Sequence, residues 1–347
     1  MNELKLADPE NMLSYINRLP DDLEAAWYLG KTLPLPEFPK PRAIVICGMG
    51  GSAIGGDIFG SYMREISDVA VYSHRDYGLP AWALGADILV ICSSHSGNTE
   101  ETIDCFKTAR ERGCSLLTIS TGGKLRDLAL EAGVTAWTFE HDGQPRTALA
   151  YSFGILLGLA SRLGLITAHE EMIKESAMLM REWRPVYGVI EEDKANPCEE
   201  LAIRLLDKNV VIFGAGSMEV VARRWKAQIA ELAKAWASFE AIPEMNHNTL
   251  AGLVFPENLL NETVAVFLSA PTDHARNQLR VKVNEELFVE AGIEVLEVFA
   301  KGESRLAQMW SLVQFGDYVA YYLALAYGVD PTPVDILTRL KQKLANS

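Results

Sequence analysis

Two short segments combine hydroxyls, glycines and helix starts in a way that suits an anion. Ser93-Ser-His-Ser-Gly-Asn-Thr-Glu-Glu-Thr102 follows an apolar run at 88–92 and opens a helix that the pattern ends near Gly113. Ser94, Ser96 and Thr99 crowd hydroxyls onto a turn where helix N–H groups have no intrahelical partner. One hydroxyl is ordinary capping. Three, with Gly97 among them, exceed what a cap needs and describe a cradle for a phosphate monoester. No Gly-Lys-Ser/Thr sequence accompanies them, as nucleotide cleavage would require. The other segment, Gly48-Met-Gly-Gly-Ser-Ala-Ile-Gly-Gly-Asp57, follows the apolar run 43–47. Its glycines let backbone approach a ligand closely, and the helix after it presents a positive dipole end. Gly48-x-Gly50-x-x-Ala53 also fits a loose dinucleotide fingerprint. The next strand, however, ends in Tyr72-Ser-His-Arg75 rather than in an acid for a ribose, which leaves NADP as the variant that Arg75 could serve.

Such turns need strands and helices to hold them. Runs at 43–47, 69–72, 88–92, 115–119 and 135–139 read as strands, the first and third buried on both faces as in a parallel sheet. Helical segments lie between them, which is the doubly wound α/β alternation. Residues 147–206 lack strand runs and read as helices at 148–163, 168–184 and 199–206. Then the pattern restarts with the strand 209–213, Gly214-Ala-Gly-Ser217 and a helix, with later strands at 264–268 and 292–298 and a last helix at 334–344. Ile44-Val-Ile-Cys-Gly-Met-Gly-Gly-Ser52 and Val211-Ile-Phe-Gly-Ala-Gly-Ser217 share one layout, with first glycines 166 residues apart. Glycine is common at strand-to-helix turns, but the repeated order points to duplication. The expected organisation is a helical lead-in (1–40), an α/β domain (41–165), a helical linker (166–199) and a second α/β domain (200–347).

With 347 residues the chain can bury large cores without staples. A net charge of −14 argues against nucleic acid as partner, since that binding rests on Lys and Arg at phosphates. A small anion needs only a local site. Five cysteines without CxxC spacing point to a reducing compartment rather than a disulfide framework. No basic and apolar leader and no run near the length of a membrane span is present, so the expectation is a cytoplasmic protein. The six histidines show no His-x-x-His or His-Glu-x-x-His spacing, and no metal or other cofactor is expected.

Gly-Met-Gly-Gly-Ser followed by Ser-x-Ser-Gly-Asn-Thr resembles the sugar isomerase (SIS) domain. Within that group the chain is similar to the bifunctional phosphoglucose/phosphomannose isomerases. The distinguishing residues are Glu231, then Pro243-Glu-Met-Asn-His-Asn248, then Asp330-Pro-Thr-Pro-Val334 with Lys341. The resemblance covers nearly the whole chain and implies two SIS units in tandem. It places Gly51, Ser52, Ser94, Ser96 and Thr99 on the phosphate loops. It places Arg146 beside the reacting carbons, Glu231 as catalytic base and Lys341 as an active-site lysine. His247 falls on the ring-opening histidine, which in this family acts in the partner subunit's site and so implies a homodimer. Two departures stand out. Members of the family often carry an aromatic where this chain has His95, and asparagines flank the base where this chain has Ala230 and Leu232.

The chemistry implied is coherent. An aldose-ketose isomerase moves one proton between C1 and C2 through an enediolate, and so needs a carboxylate base tuned by its surroundings. Glu231 lies on a helix predicted over 219–236, beside the apolar stripe Val221, Trp225, Ile229 and Leu232. A fixed cation such as Arg146 stabilises the enediolate. A histidine such as His247 can give and take the proton that ring opening moves, and Lys341 can donate or orient. Taken singly, each residue has a structural reading: a solvated Glu, a salt-bridged Arg, a hydrogen-bonded loop His, a Lys near a helix C-terminus. The expected activity interconverts glucose 6-phosphate and mannose 6-phosphate with fructose 6-phosphate. The alternatives are a non-catalytic phosphosugar-binding SIS regulator and an NADP-dependent oxidoreductase.

Overall fold

The computed structural model describes residues 8–167, 169–188 and 196–345. The first residues of the expected lead-in and the expected helix start at Ala168 lie outside them. The chain divides into two compact units. The first comprises residues 18–181 and 302–308; the second comprises 1–17, 182–301 and 309–347. The elements in chain order begin with helix α1 (Met12–Thr32), strand β1 (Ala43–Cys47), α2 (Gly50–Met63), β2 (Ala70–His74) and β3 (Ile88–Ser93). They continue with α3 (Glu100–Glu111), β4 (Ser115–Ser120), α4 (Gly123–Glu131), β5 (Thr135–Thr138), α5 (Leu149–Arg162) and α6 (Glu170–Tyr187).

In the first unit these strands form one parallel sheet in the order β2-β1-β3-β4-β5. Every residue of β1 and β3 is buried, as the uninterrupted apolar runs require of strands covered on both faces. Cys47 and Cys92 are register partners at the ends of these two strands, and all five cysteines are free. The topological switch point lies between β1 and β3, where the connections leave in opposite directions, the place at which sheets of this kind bind ligands. The two segments singled out above leave the sheet at that point.

The second unit contains α7 (Pro197–Leu205), β6 (Asn209–Ala215), α8 (Met218–Leu232), β7 (Ala237–Ile242), α9 (Glu257–Asn261), β8 (Thr263–Ser269), α10 (Ala275–Glu290), β9 (Glu294–Phe299) and α12 (Asp335–Ala345), with most of α11 (Arg305–Ala326). Its parallel sheet has the order β7-β6-β8-β9. That is the first four positions of the other sheet repeated, so the recurring strand and glycine turn reflects a repeated topology. Phe213 and Phe267 stack at 4.7 Å and Phe288 meets both edge-on, which forms the centre of this core. Gly214 lies against the Met218 backbone with no room for a Cβ, which explains glycine at this turn without a ligand.

Strand β7 has no signal in the sequence pattern. Its residues, Ala-Ser-Phe-Glu-Ala-Ile, carry one β-branched side chain, and it is an edge strand with only its two ends buried. Sheet pairing with β6, not propensity, makes it a strand. The helix expected over 219–236 stops at Leu232, because Lys234 turns the chain through a left-handed conformation (φ 56°) into β7. Among the described residues no helix is long and apolar enough to cross a membrane.

Candidate functional site

The residues expected to form a phosphate cradle come together in the first unit. Strand β1 runs into Gly48 and α2 starts at Gly50, whose φ of +52° suits glycine. Met49 precedes the helix and makes no side-chain capping bond. Gly51 lies directly under the turn Pro145–Ala148: a Cβ there would be 2.5 Å from the Pro145 carbonyl oxygen and 3.2 Å from Cα of Arg146. The turn expected to hold phosphate and the Arg146 turn therefore touch through backbone. Arg146 itself is 2% exposed.

On the other turn, Thr99 occupies the capping position of α3 but makes no capping bond. Its hydroxyl instead meets the Ser94 hydroxyl at 2.8 Å. Capping alone does not account for these hydroxyls. Ser96 Oγ accepts from the Asn98 N–H at 3.2 Å, which leaves its own proton available to a ligand. Gly97 (φ +66°) packs against the Gly122 carbonyl, and only glycine fits there. Ser52 and Ser94 are buried, and Ser52 Oγ accepts from the His95 N–H at 3.2 Å, which ties the two turns together. Gly51, Ser52, Ser94, Ser96 and Thr99 are thus held close together on two linked turns. Arg75, the residue that left NADP open, is paired with Asp57 of α2, and that carboxylate would repel a ribose phosphate.

Glu231, His247 and Lys341 lie in the second unit. Helix α8 is anchored on α11 by a buried, two-point ion pair: Arg224 Nε and Nη2 donate to Asp317 Oδ1 (3.1 Å) and Oδ2 (2.9 Å). The neighbouring Trp225 donates to the Leu312 carbonyl at 2.7 Å, and its indole covers Gly316 so closely that a Cβ has no space. The stripe Val221, Trp225, Ile229 and Leu232 is fully buried. Glu231 sits half-buried on the last turn beside it, and the Lys234 ammonium donates to the Glu231 carbonyl at 2.8 Å.

β7 then delivers the chain to the turn Glu244–His247. Met245 is fully buried, and Asn246 donates to Oδ1 of the buried Asn284 of α10 at 2.5 Å. Asn248 accepts from the Thr249 N–H at 2.6 Å and donates to Glu244 at 3.0 Å. His247 is therefore flanked by two locked asparagines while its own ring is exposed. Lys341 lies on α12, exposed along with Ile336, Leu337, Leu340 and Leu344 of the same helix, and makes no ion pair among the described residues.

Sequence reasoning misses one feature of the first unit. His95 and His141 are paired, Nε2 to Nδ1, at 3.0 Å. Burial and then the His141 charge push the His95 imidazole down to about 4; burial and then Arg18 lower His141. A histidine where the resemblance implies an aromatic is the available signal, but its partner 46 residues away is not legible.

The two parallel sheets of repeated strand order, with hydroxyls gathered at the strand ends of the first, agree with a tandem protein of the sugar isomerase class. Residues 194–344 match the bacterial phospho-glucose isomerase C-terminal SIS domain. Over 336 residues the chain is 38% identical to the bifunctional phosphoglucose/phosphomannose isomerase of Caldicellulosiruptor bescii, covering 96% of this chain and 99% of that one. It is 33% identical over 304 residues to the bifunctional phosphoglucose/phosphomannose isomerase of Aquifex aeolicus, with 87% and 90% covered. A fold likeness extends to the C-terminal domain of the glucosamine-fructose-6-phosphate aminotransferase of Francisella tularensis (TM-score 0.73, 14% identity, 93% of this chain and 98% of that chain). The chain belongs to the bifunctional phosphoglucose/phosphomannose isomerase family.

Proposed function

We propose that this protein is an aldose-ketose isomerase that interconverts glucose 6-phosphate and mannose 6-phosphate with fructose 6-phosphate. The observation that carries this reading is the identity to enzymes of that name along nearly the full chain. The linked turns of the first unit support it: a phosphate monoester needs hydroxyl and N–H donors, and Gly51, Ser52, Ser94, Ser96 and Thr99 carry them.

In the proposed reaction those residues hold the 6-phosphate. His247, helped by Lys341, moves the proton between the ring oxygen and the anomeric hydroxyl and so opens the ring. Glu231 removes the proton from C2 of the aldose and returns it to C1, while a proton moves between the two oxygens of the enediolate. Arg146, buried beside the phosphate turn, carries the fixed positive charge that a developing enediolate requires. Glucose and mannose 6-phosphates differ only at C2, so both reach one enediolate if the substrate can turn about C2–C3. An exposed His247 on a pinned turn suits delivery to the partner subunit of a homodimer. Free thiols throughout suit a cytoplasmic enzyme.

The test is fructose 6-phosphate production from each aldose phosphate, wild type beside Glu231→Gln. The reading expects turnover of both sugars and its loss in the variant. Phosphosugar binding without turnover would replace the enzyme with a sensor. Mixing Glu231→Ala and His247→Ala subunits should restore activity through the hybrid site; hybrids as inactive as their parents would remove the shared site.

A further inference from the structure

His95 stands between two members of the phosphate turn, yet its ring is directed at a different segment. Its backbone is fixed on both sides. The N–H donates to Ser52 Oγ at 3.2 Å, and the carbonyl accepts from the Thr121 N–H (2.9 Å) and hydroxyl (2.7 Å). Nε2 then lies 3.0 Å from His141 Nδ1, with the two rings edge-to-face at 5.1 Å and 86°. On its far side His141 Nε2 is 3.4 Å from the Thr147 hydroxyl. Thr147 directly follows Arg146. A hydrogen-bonded series therefore runs from the Ser52 hydroxyl through the backbone N–H and ring of His95, then His141 and Thr147, to the Arg146 turn.

The protons in this series have a consistent order. Thr147 has one hydroxyl proton, and it goes to the Gln144 carbonyl at 2.8 Å. Its oxygen is then the acceptor, so His141 Nε2 carries a proton and Nδ1 has the lone pair. His95 Nε2–H donates to that lone pair. Phe139 and Tyr151, stacked at 4.9 Å, wall the pair in, Phe139 against His95 at 6.0 Å and Tyr151 against His141 at 5.9 Å. The charged or titratable groups around the pair are Arg18 and Asp22 of α1, Glu140 and Asp142 of the adjoining segment, and the Tyr151 phenol. Desolvation outweighs these and favours neutral imidazoles, the state in which one ring can donate and the other accept.

We propose that His95 and His141 are positioning residues of the isomerase: their hydrogen bond sets the span between the phosphate turn and the Arg146 turn, and so places the guanidinium over the reacting carbons when the phosphate is held. The inference rests on the isomerase reading above. Arg146 acts mainly where charge develops, so loosening this span lowers kcat more than it weakens phosphate binding.

The experiment compares wild type with His95→Phe, which keeps the aromatic packing and removes the N–H, and with two conservative variants. His95→Gln keeps a donor where Nε2 was, and His141→Asn keeps an acceptor where Nδ1 was. For each, kcat and KM for fructose 6-phosphate are measured together with the inhibition constant of inorganic phosphate, which reads the phosphate turn alone. The expected result for His95→Phe is a kcat lower by about 10-fold, in line with a sub-ångström displacement of a catalytic group, and a phosphate inhibition constant within about 2-fold. His95→Gln and His141→Asn should stay within about 3-fold of wild type. If His95→Phe does not fold, His141→Leu makes the same separation from the other side. Unchanged kcat in His95→Phe or His141→Leu, equal damage in His95→Gln and His95→Phe, or a phosphate constant rising in step with the loss of kcat would each overturn the proposal. An inactive wild type would instead remove the isomerase reading itself.

Discussion

Replacing Gly51 by alanine tests whether the phosphate turn and the Arg146 turn are coupled through direct contact. The added Cβ would sit 2.5 Å from the Pro145 carbonyl oxygen, 2.9 Å from its carbon and 3.2 Å from Cα of Arg146. All three are backbone atoms, so no side chain can rotate away. A carbon and a carbonyl oxygen need about 3.3 Å, so one turn must retreat by about 0.8 Å. Overpacking of this kind costs about 1–3 kcal/mol of stability. A displacement near 1 Å at a reacting centre costs about 100-fold in rate. The control is Gly50→Ala. A Cβ at Gly50 would have nothing within 4 Å, but the φ there is +52°, so alanine costs about 1–2 kcal/mol of local strain and leaves Arg146 in place. Urea unfolding and kcat/KM for fructose 6-phosphate should therefore separate the two. Stability falls in both, and kcat/KM falls by about 100-fold only in Gly51→Ala. Wild-type kcat/KM in a folded Gly51→Ala protein, or equal losses in both variants, would refute the coupling.

Other expectations follow from the second unit. Asp317→Leu leaves Arg224 buried without its carboxylate and should cost about 3–5 kcal/mol, while Arg224→Met with Asp317→Leu should recover most of it; denaturant midpoints of the three proteins decide the matter. Asn284→Ala removes the acceptor that holds Asn246, and should lower stability by about 1 kcal/mol and kcat by about 5-fold through a looser His247 turn, read from unfolding and steady-state rates. Burial and then Glu297 raise the Glu285 carboxyl to about 7. A raised carboxyl favours the folded state below its unfolded pKa and loses that contribution as pH rises through the folded value. Glu285→Gln should thus be more stable than wild type at pH 8, by about 1 kcal/mol after solvent screening, with the advantage gone at pH 4.5 when thermal midpoints are compared.

The legibility of each element follows its environment. β1 and β3 read clearly because strands buried on both faces must be continuously apolar, a demand visible residue by residue. β7 is invisible in the pattern because an edge strand makes no such demand, although it is the element that carries the chain to His247. The apolar periodicity runs past the true end of α8, since a lysine in a left-handed turn gives no compositional sign. At the site, the hydroxyl cluster on one short segment is evident from spacing alone. The use of Thr99 is not: a threonine at a helix start reads as a cap, and only the fold shows its hydroxyl turned to Ser94.

Local sequence determined what depends on near neighbours: the alternation of strands and helices, the repeated glycine turn, the concentration of hydroxyls at one helix start, and the stripe that buries α8. Tertiary structure decided what depends on residues far apart in the chain. Gly51 touches Arg146 across 95 positions, His95 meets His141 across 46, and Arg224 finds Asp317 across 93. Steric exclusion, hydrogen bonding and charge pairing act over a few ångströms. They become definite only after the sheets have brought distant segments within that range.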